Sequence, residues 1–266
     1  MRWSLLILLL AAVAARAVPP DEGAVRELES FYWMTEQYPL FNYLDEADGQ
    51  LKGITVDILM AMFERAGVQL TRDDLHVMPW QRSYLKVLEE PKTVLFSTTY
   101  TMERLADLRF VGPVIPTRVS VIAPKAAGLK VDSVADLNSL RIGVINDDVG
   151  DQMLRASGID ESAIQAAPTP SGMVRMLAAG RLDAIAYAED VARYQFMLAR
   201  IEPNEYEAVH VLKQSHMGYA FHRDTDPRLL EPLRQALDEL RTDGTVDRIY
   251  DGYLHKPVST FTGGLK

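Results

Sequence analysis

Apolar residues follow two rhythms along this chain, and their alternation predicts most of its elements. Ile58, Leu59, Met62 and Phe63 recur at helical spacing between Gly53 and Gly67, which predicts a helix over about Ile54–Ala66. Trp80, Tyr84, Leu85 and Leu88 share one face of a second helix, stopped by Pro91. Further helices are expected over Ser133–Leu137, Val149–Ser157, Pro170–Ala179, Glu189–Arg200, Asp226–Arg241 and Val246–Leu254. Short apolar runs predict strands at Glu27–Met34, Val68–Leu70, His76–Met78, Val94–Ser97, Val119–Ala123, Arg141–Asn146, Asp183–Tyr187 and Tyr206–Leu212. Strands alternating with helices imply an α/β fold, with a mainly parallel sheet covered on both faces. The alternation breaks at Gly112-Pro113-Val114-Ile115-Pro116, then restarts, and His216–Phe221 reads as a second crossover.

The stretch from Thr93 to Pro113 carries the densest candidate chemistry. The run Val94-Leu95-Phe96 opens into hydroxyl side chains, Ser97 to Thr101, and Arg104 follows. Small hydroxyls donate single hydrogen bonds, and a guanidinium can grip a carboxylate with two parallel ones. In a parallel sheet, ligands collect at the carboxyl ends of strands, where this cluster falls. A plainer reading leaves Arg104 capping a helix or pairing with Glu103 or Asp107.

Composition narrows the classes. The chain has 266 residues, 48% hydrophobic and 24% charged, which is globular and long enough for one large or two modest domains. Residues 1–17 read as a cleaved secretory leader: a positive start, a short apolar core to Ala15 and the small-x-small end Ala15-Arg16-Ala17. The charge of −9 becomes two units more negative when Arg2 and Arg16 leave with the leader, which argues against nucleic acid or anionic lipid as partner. With no Cys, disulfides, thiol chemistry and a lipoprotein anchor are excluded. The five His show no metal-ligand spacing, and neither a phosphate loop nor a Gly-x-Ser-x-Gly elbow occurs, so no metal and no cofactor are expected.

Five stretches, in order, resemble the family 3 extracytoplasmic solute-binding proteins, which serve ABC importers of polar amino acids. They are Tyr38-Pro39-Leu40-Phe41-Asn42-Tyr43 with Gly53-Ile54-Thr55-Val56-Asp57; Thr99-Tyr100-Thr101-Met102-Glu103-Arg104 with Phe110-Val111-Gly112-Pro113; Ser133–Leu137 with Arg141-Ile142-Gly143-Val144; Gly180-Arg181-Leu182-Asp183-Ala184; and Leu237, Gly244 and Ile249-Tyr250. The resemblance implies a two-lobed periplasmic-binding-protein fold of type II: two mainly parallel sheets joined by two crossover strands, closing on ligand. Lobe 1 would be 22–114 plus 217–256, lobe 2 would be 119–212, and 257–266 would be a frayed tail.

By the same resemblance Arg104 takes a ligand's α-carboxylate, Ser97 and Thr99 flank it, and Tyr38 walls the cleft. Trp80 falls near another lining position, though it could equally be a core residue against Tyr84. The chain also departs from the pattern. Where amino-acid binders place an aspartate for the α-ammonium, this sequence has Ala188, followed by Glu189. Where small donors are common it has Asn146-Asp147-Asp148-Val149, acids that either cap a helix or make the wall negative and favour an amine. The turn before the Val94 strand is also atypical, reading Glu90-Pro91-Lys92-Thr93. The expectation is a monomeric periplasmic protein that captures a small carboxylate-bearing solute, an amino acid or derivative, for an inner-membrane ABC permease. Two alternatives stand beside it. One is an exported dehydratase of a cyclic carboxylate with Glu36 or Glu189 as general acid, and the other is a ligand-loaded partner of a membrane receptor.

Overall fold

The computed structural model describes residues 22–45 and 47–254; the expected leader and tail lie outside them. In chain order the elements are α1 (Glu22–Glu29), β1 (Tyr32–Thr35), β2 (Tyr43–Leu44), β3 (Leu51–Lys52), α2 (Ile54–Ala66), β4 (Leu75–Val77), α3 (Trp80–Glu89), β5 (Thr93–Thr99), α4 (Met102–Asp107) and β6 (Leu108–Pro124). Then come β7 (Ile142–Val144), α5 (Val149–Ala156), β8 (Ile164–Ala166), α6 (Pro170–Ala178), β9 (Ala184–Ala188), α7 (Glu189–Leu198), β10 (Tyr206–His222), α8 (Glu231–Thr242) and α9 (Thr245–Leu254).

Eight strands form one mixed sheet in the order β4-β1-β5-β10-β6-β9-β7-β8, with β2 and β3 as a separate hairpin. Both ends are parallel: β4, β1 and β5 on one side, β9, β7 and β8 on the other. The centre is antiparallel, because β6 and β10 run 17 residues each and pair with one another from Leu108–His222 to Pro124–Tyr206. The fold is α/β with a large sheet, and the two crossover strands join its two parallel groups in a single hydrogen-bonded ladder.

Local chemistry explains where the helices sit. Ile58, Leu59, Met62 and Phe63 on α2 are fully buried, each worth about 1.5–3 kcal/mol. Gly67, in the left-handed region at φ 78°, ends that helix by donating its N–H back to Phe63 and Glu64 carbonyls. Thr169 caps α6 by accepting from the Gly172 N–H, and Pro170 occupies the first turn. Trp33 anchors the core beside α2, edge-on to Phe63 at 4.8 Å and to Phe221 at 5.5 Å, and its indole N–H donates to the Leu28 carbonyl at 3.2 Å.

Two expected strands differ. The segment expected as a strand from Glu27 to Met34 divides into the end of α1 and the start of β1, because Ala24, Val25 and Leu28 bury one helical face before the chain turns. Val68–Leu70 forms no strand, and β4 supplies the edge there instead.

Candidate functional site

Arg104 enters from α4, whose N-cap Thr101 accepts a hydrogen bond from the Arg104 N–H at 3.1 Å. The side chain turns inward and is 1% exposed. Its guanidinium carbon lies 4.9 Å from the Trp80 ring centre and 5.0 Å from that of Tyr84. Those two rings, four residues apart on α3, stack at 5.3 Å and 12°. Nη1 donates to the Thr99 carbonyl and Nη2 to the Asp147 carbonyl, both at 3.3 Å, while Nε has no partner. A buried guanidinium requires such partners, and the two ring faces add cation–π attraction. The plain surface reading of Arg104 is thereby corrected: it reaches carbonyls rather than Glu103 or Asp107, and Asp107 faces Arg223 at 3.9 Å.

The Asp147 carbonyl belongs to the opposite side of the sheet, so Arg104 bridges the two parallel groups. Other bonds cross beside it. Gln81 Nε2 donates to Asp147 Oδ2 at 3.2 Å, Gln152 Nε2 donates to the Tyr84 hydroxyl at 3.3 Å, and Tyr38 meets Tyr187 edge-on at 5.9 Å.

Asp148 is the N-cap of α5. Its Oδ1 accepts from the Val149 N–H at 2.7 Å, whereas Oδ2, buried, has no partner. The capping reading of this acid holds through Oδ1, while Oδ2 stays out of the cap. Gly150 is what lets α5 come so close: a Cβ there would stand 2.2 Å from the Ala186 carbonyl oxygen of β9. Burial lifts the Asp148 pKa to about 6, opposed by the Arg104 charge and the Val149 N–H. Glu36, half-buried just after β1, has its carboxyl raised well above the usual range, first by burial and then by the Asp148 charge, with Arg104 opposing. Burial likewise raises the phenols of Tyr38 and Tyr187.

Glu36 is held by a turn that the hydroxyl positions support. Asn42 Nδ2 donates to the Glu36 carbonyl at 2.7 Å, and Tyr38 and Asn42 exchange backbone bonds. The Ser97 hydroxyl bonds Asn42 Oδ1 and lies 2.7 Å from Thr55 Oγ1. Ser97 has φ 63° at the point where the β5–β10 register shifts, so it sits on a bulge. The Glu36, Tyr38, Trp80, Thr99, Arg104 and Asp148 positions thus come together. The Ser97 hydroxyl is occupied in the supporting network, and the Glu189 carboxylate is engaged by Ser120 and by Arg118 Nε at 3.0 Å on β6. Sequence reasoning missed Asn42, Gln81, Gln152 and Tyr187 as members. Tyr84 it read only as a packing face; its spacing of four from Trp80 was the available signal.

Residues 32–256 match the bacterial extracellular solute-binding proteins, family 3. The chain belongs to this family. Among relatives, a probable histidine-binding protein of Neisseria gonorrhoeae is 24% identical over 223 residues, covering 83% of this chain and 81% of that protein. Among solved structures, a histidine kinase sensor domain with similarity to periplasmic binding proteins superposes with a TM-score of 0.74 at 20% identity, over 85% of this chain and 96% of that one. A P235GK mutant of the arginine-binding protein of T. maritima gives 0.72 at 21%, over 88% and 100%. At such identities the likeness is one of fold. No helix among the described residues is long and apolar enough to cross a membrane.

Proposed function

We propose that the chain is an exported binding protein that captures a small carboxylate-bearing solute, an amino acid, and hands it to an inner-membrane ABC permease. The observation that carries this reading is the buried Arg104 guanidinium, which touches carbonyls from both sides of the sheet yet keeps one N–H without an acceptor. An unmet buried donor costs about 1–3 kcal/mol, and a carboxylate entering between α3 and α5 would relieve it through charge-assisted bonds. In this reading lobe 1 is 22–114 plus 217–256, lobe 2 is 119–212, and closure about β6 and β10 desolvates the ligand. Trp80 and Tyr84 stiffen the guanidinium; Tyr38 and Tyr187 form the aromatic wall.

A thermal-shift screen across amino acids, polyamines and organic acids tests this. At least one amino acid should raise the melting temperature of the wild type and leave that of Arg104→Ala unchanged. Equal stabilisation of the variant would refute the role of Arg104. The bound compound should also be recovered chemically unaltered; conversion of a cyclic carboxylate, lost in Glu36→Gln, would instead establish the dehydratase alternative.

A further inference from the structure

Three consecutive N–H groups at the start of α2 find their acceptors outside the helix. Those of Ile54 and Thr55 donate to the Leu40 and Phe41 carbonyls, both at 3.0 Å. The turn that follows Glu36 and Tyr38 thus supplies acceptors that a helix N-terminus lacks by itself. The Gly53 N–H instead donates to the hydroxyl of Tyr253 on α9 at 3.1 Å. That hydroxyl donates in turn to Asp57 Oδ2 at 2.7 Å, and Asp57 Oδ1 accepts from Arg72 Nη2 at 2.8 Å. Tyr253 is 5% exposed, so the link is made away from solvent.

On its other side the same helix end holds the wall of the pocket. Thr55 Oγ1 donates to the Phe41 carbonyl at 2.9 Å and lies 2.7 Å from the Ser97 hydroxyl. Asn42 is fully buried and donates from Nδ2 to the Glu36 carbonyl at 2.7 Å. Its backbone exchanges bonds with that of Tyr38 at 2.8 and 2.9 Å. Gly53 packs so closely on this turn that a Cβ would stand 2.3 Å from the Phe41 carbonyl oxygen. A shift at the first residue of α2 is therefore passed directly to the turn. Within the turn Leu40 holds φ 79°, a left-handed conformation that a leucine keeps only when its surroundings enforce it.

Resting on the placement of Glu36 and Tyr38 in the pocket proposed above, we propose that Tyr253 is a positioning residue for that pocket. By accepting the Gly53 N–H, its hydroxyl fixes the start of α2, and through it the turn from Glu36 to Asn42, before any ligand arrives. Without that oxygen the Gly53 N–H is a buried donor with no acceptor, and the helix end and the turn open together.

Amide hydrogen exchange of the whole ligand-free protein, read residue by residue by NMR, tests this in wild type, Tyr253→Phe and Val246→Ala. Tyr253→Phe keeps the ring and removes only the oxygen. Val246→Ala trims another buried side chain of α9 and leaves the hydroxyl bond in place. In Tyr253→Phe the amides of Asn42, Ile54 and Thr55 should exchange about 10-fold faster, beyond any change at Ile58 and Phe63 further along α2. In Val246→Ala all five amides should change by one common factor. Exchange in Tyr253→Phe that is unchanged, equally faster at all five amides or faster only within α9 overturns the proposal. So does selective acceleration of Asn42, Ile54 and Thr55 in Val246→Ala, since the packing of α9 would then hold the turn. No ligand enters the measurement, so a negative result leaves the reading of Arg104 standing.

Discussion

Asp148 and Arg104 show how one residue serves the fold and the site together. Asp148 caps α5 with one oxygen and buries the other without a donor, and burial raises its pKa from 3.8 to about 6. Because the folded value lies above the unfolded one, the folded protein holds this proton more tightly. Stability from this group is full below about pH 4 and is lost as pH rises through about 6. The ligand-free melting temperature of the wild type should therefore gain about 3 °C relative to Asp148→Asn between pH 7 and 5. The groups that share this field are Arg104, Glu36, Asp151, Tyr38 and Tyr187. Differential scanning fluorimetry of the two proteins checks this trend, and parallel pH profiles would contradict it. The sequence alone supplied Arg104, since a guanidinium after a hydroxyl-rich strand end is a local pattern. It could not supply Asn42, whose amide holds Glu36, or the positive φ of Ser97, because both depend on where distant segments meet.

At the scale of elements, the approach of α5 to β9 places the second wall of the site. Gly150→Ala would drive a methyl group into the Ala186 carbonyl, so the helix must lift, carrying Asp148 with it. A loss of about 1–3 kcal/mol in urea unfolding is expected, accompanied by weaker ligand binding. Wild-type values for both would show that the close approach is dispensable. Helices with a long apolar stripe, such as α2 and α8, were legible because Ile58, Leu59, Met62 and Phe63, or Leu233, Leu237 and Leu240, repeat over several turns. Among the short elements β8 was not. The three residues of β8, Ile164-Gln165-Ala166, carry no period of their own and exist as a strand because β7 offers an edge. The end of α1, Glu27–Glu29, reads as strand in the sequence because Phe31, Trp33 and Met34 of the adjoining β-forming run outweigh its single buried face.

For the whole molecule, β6 and β10 form the centre of the sheet. They join the two parallel groups, and among the described residues the side-chain bonds between those groups include Arg104 to Asp147, Gln81 to Asp147 and Gln152 to Tyr84. Gln81→Ala removes one exposed hydrogen bond to the Asp147 carboxylate and should lower ligand affinity about 3-fold, with stability unchanged. A loss comparable to that of Arg104→Ala would mean that the exposed Gln81 bond, as much as the guanidinium, holds the ligand. Calorimetric titration of the preferred amino acid against its carboxamide addresses the central claim most directly. Replacing the carboxylate by an amide should cost the wild type about 100-fold in affinity and cost Arg104→Ala almost nothing. An equal loss in both proteins would show that Arg104 does not receive the carboxylate.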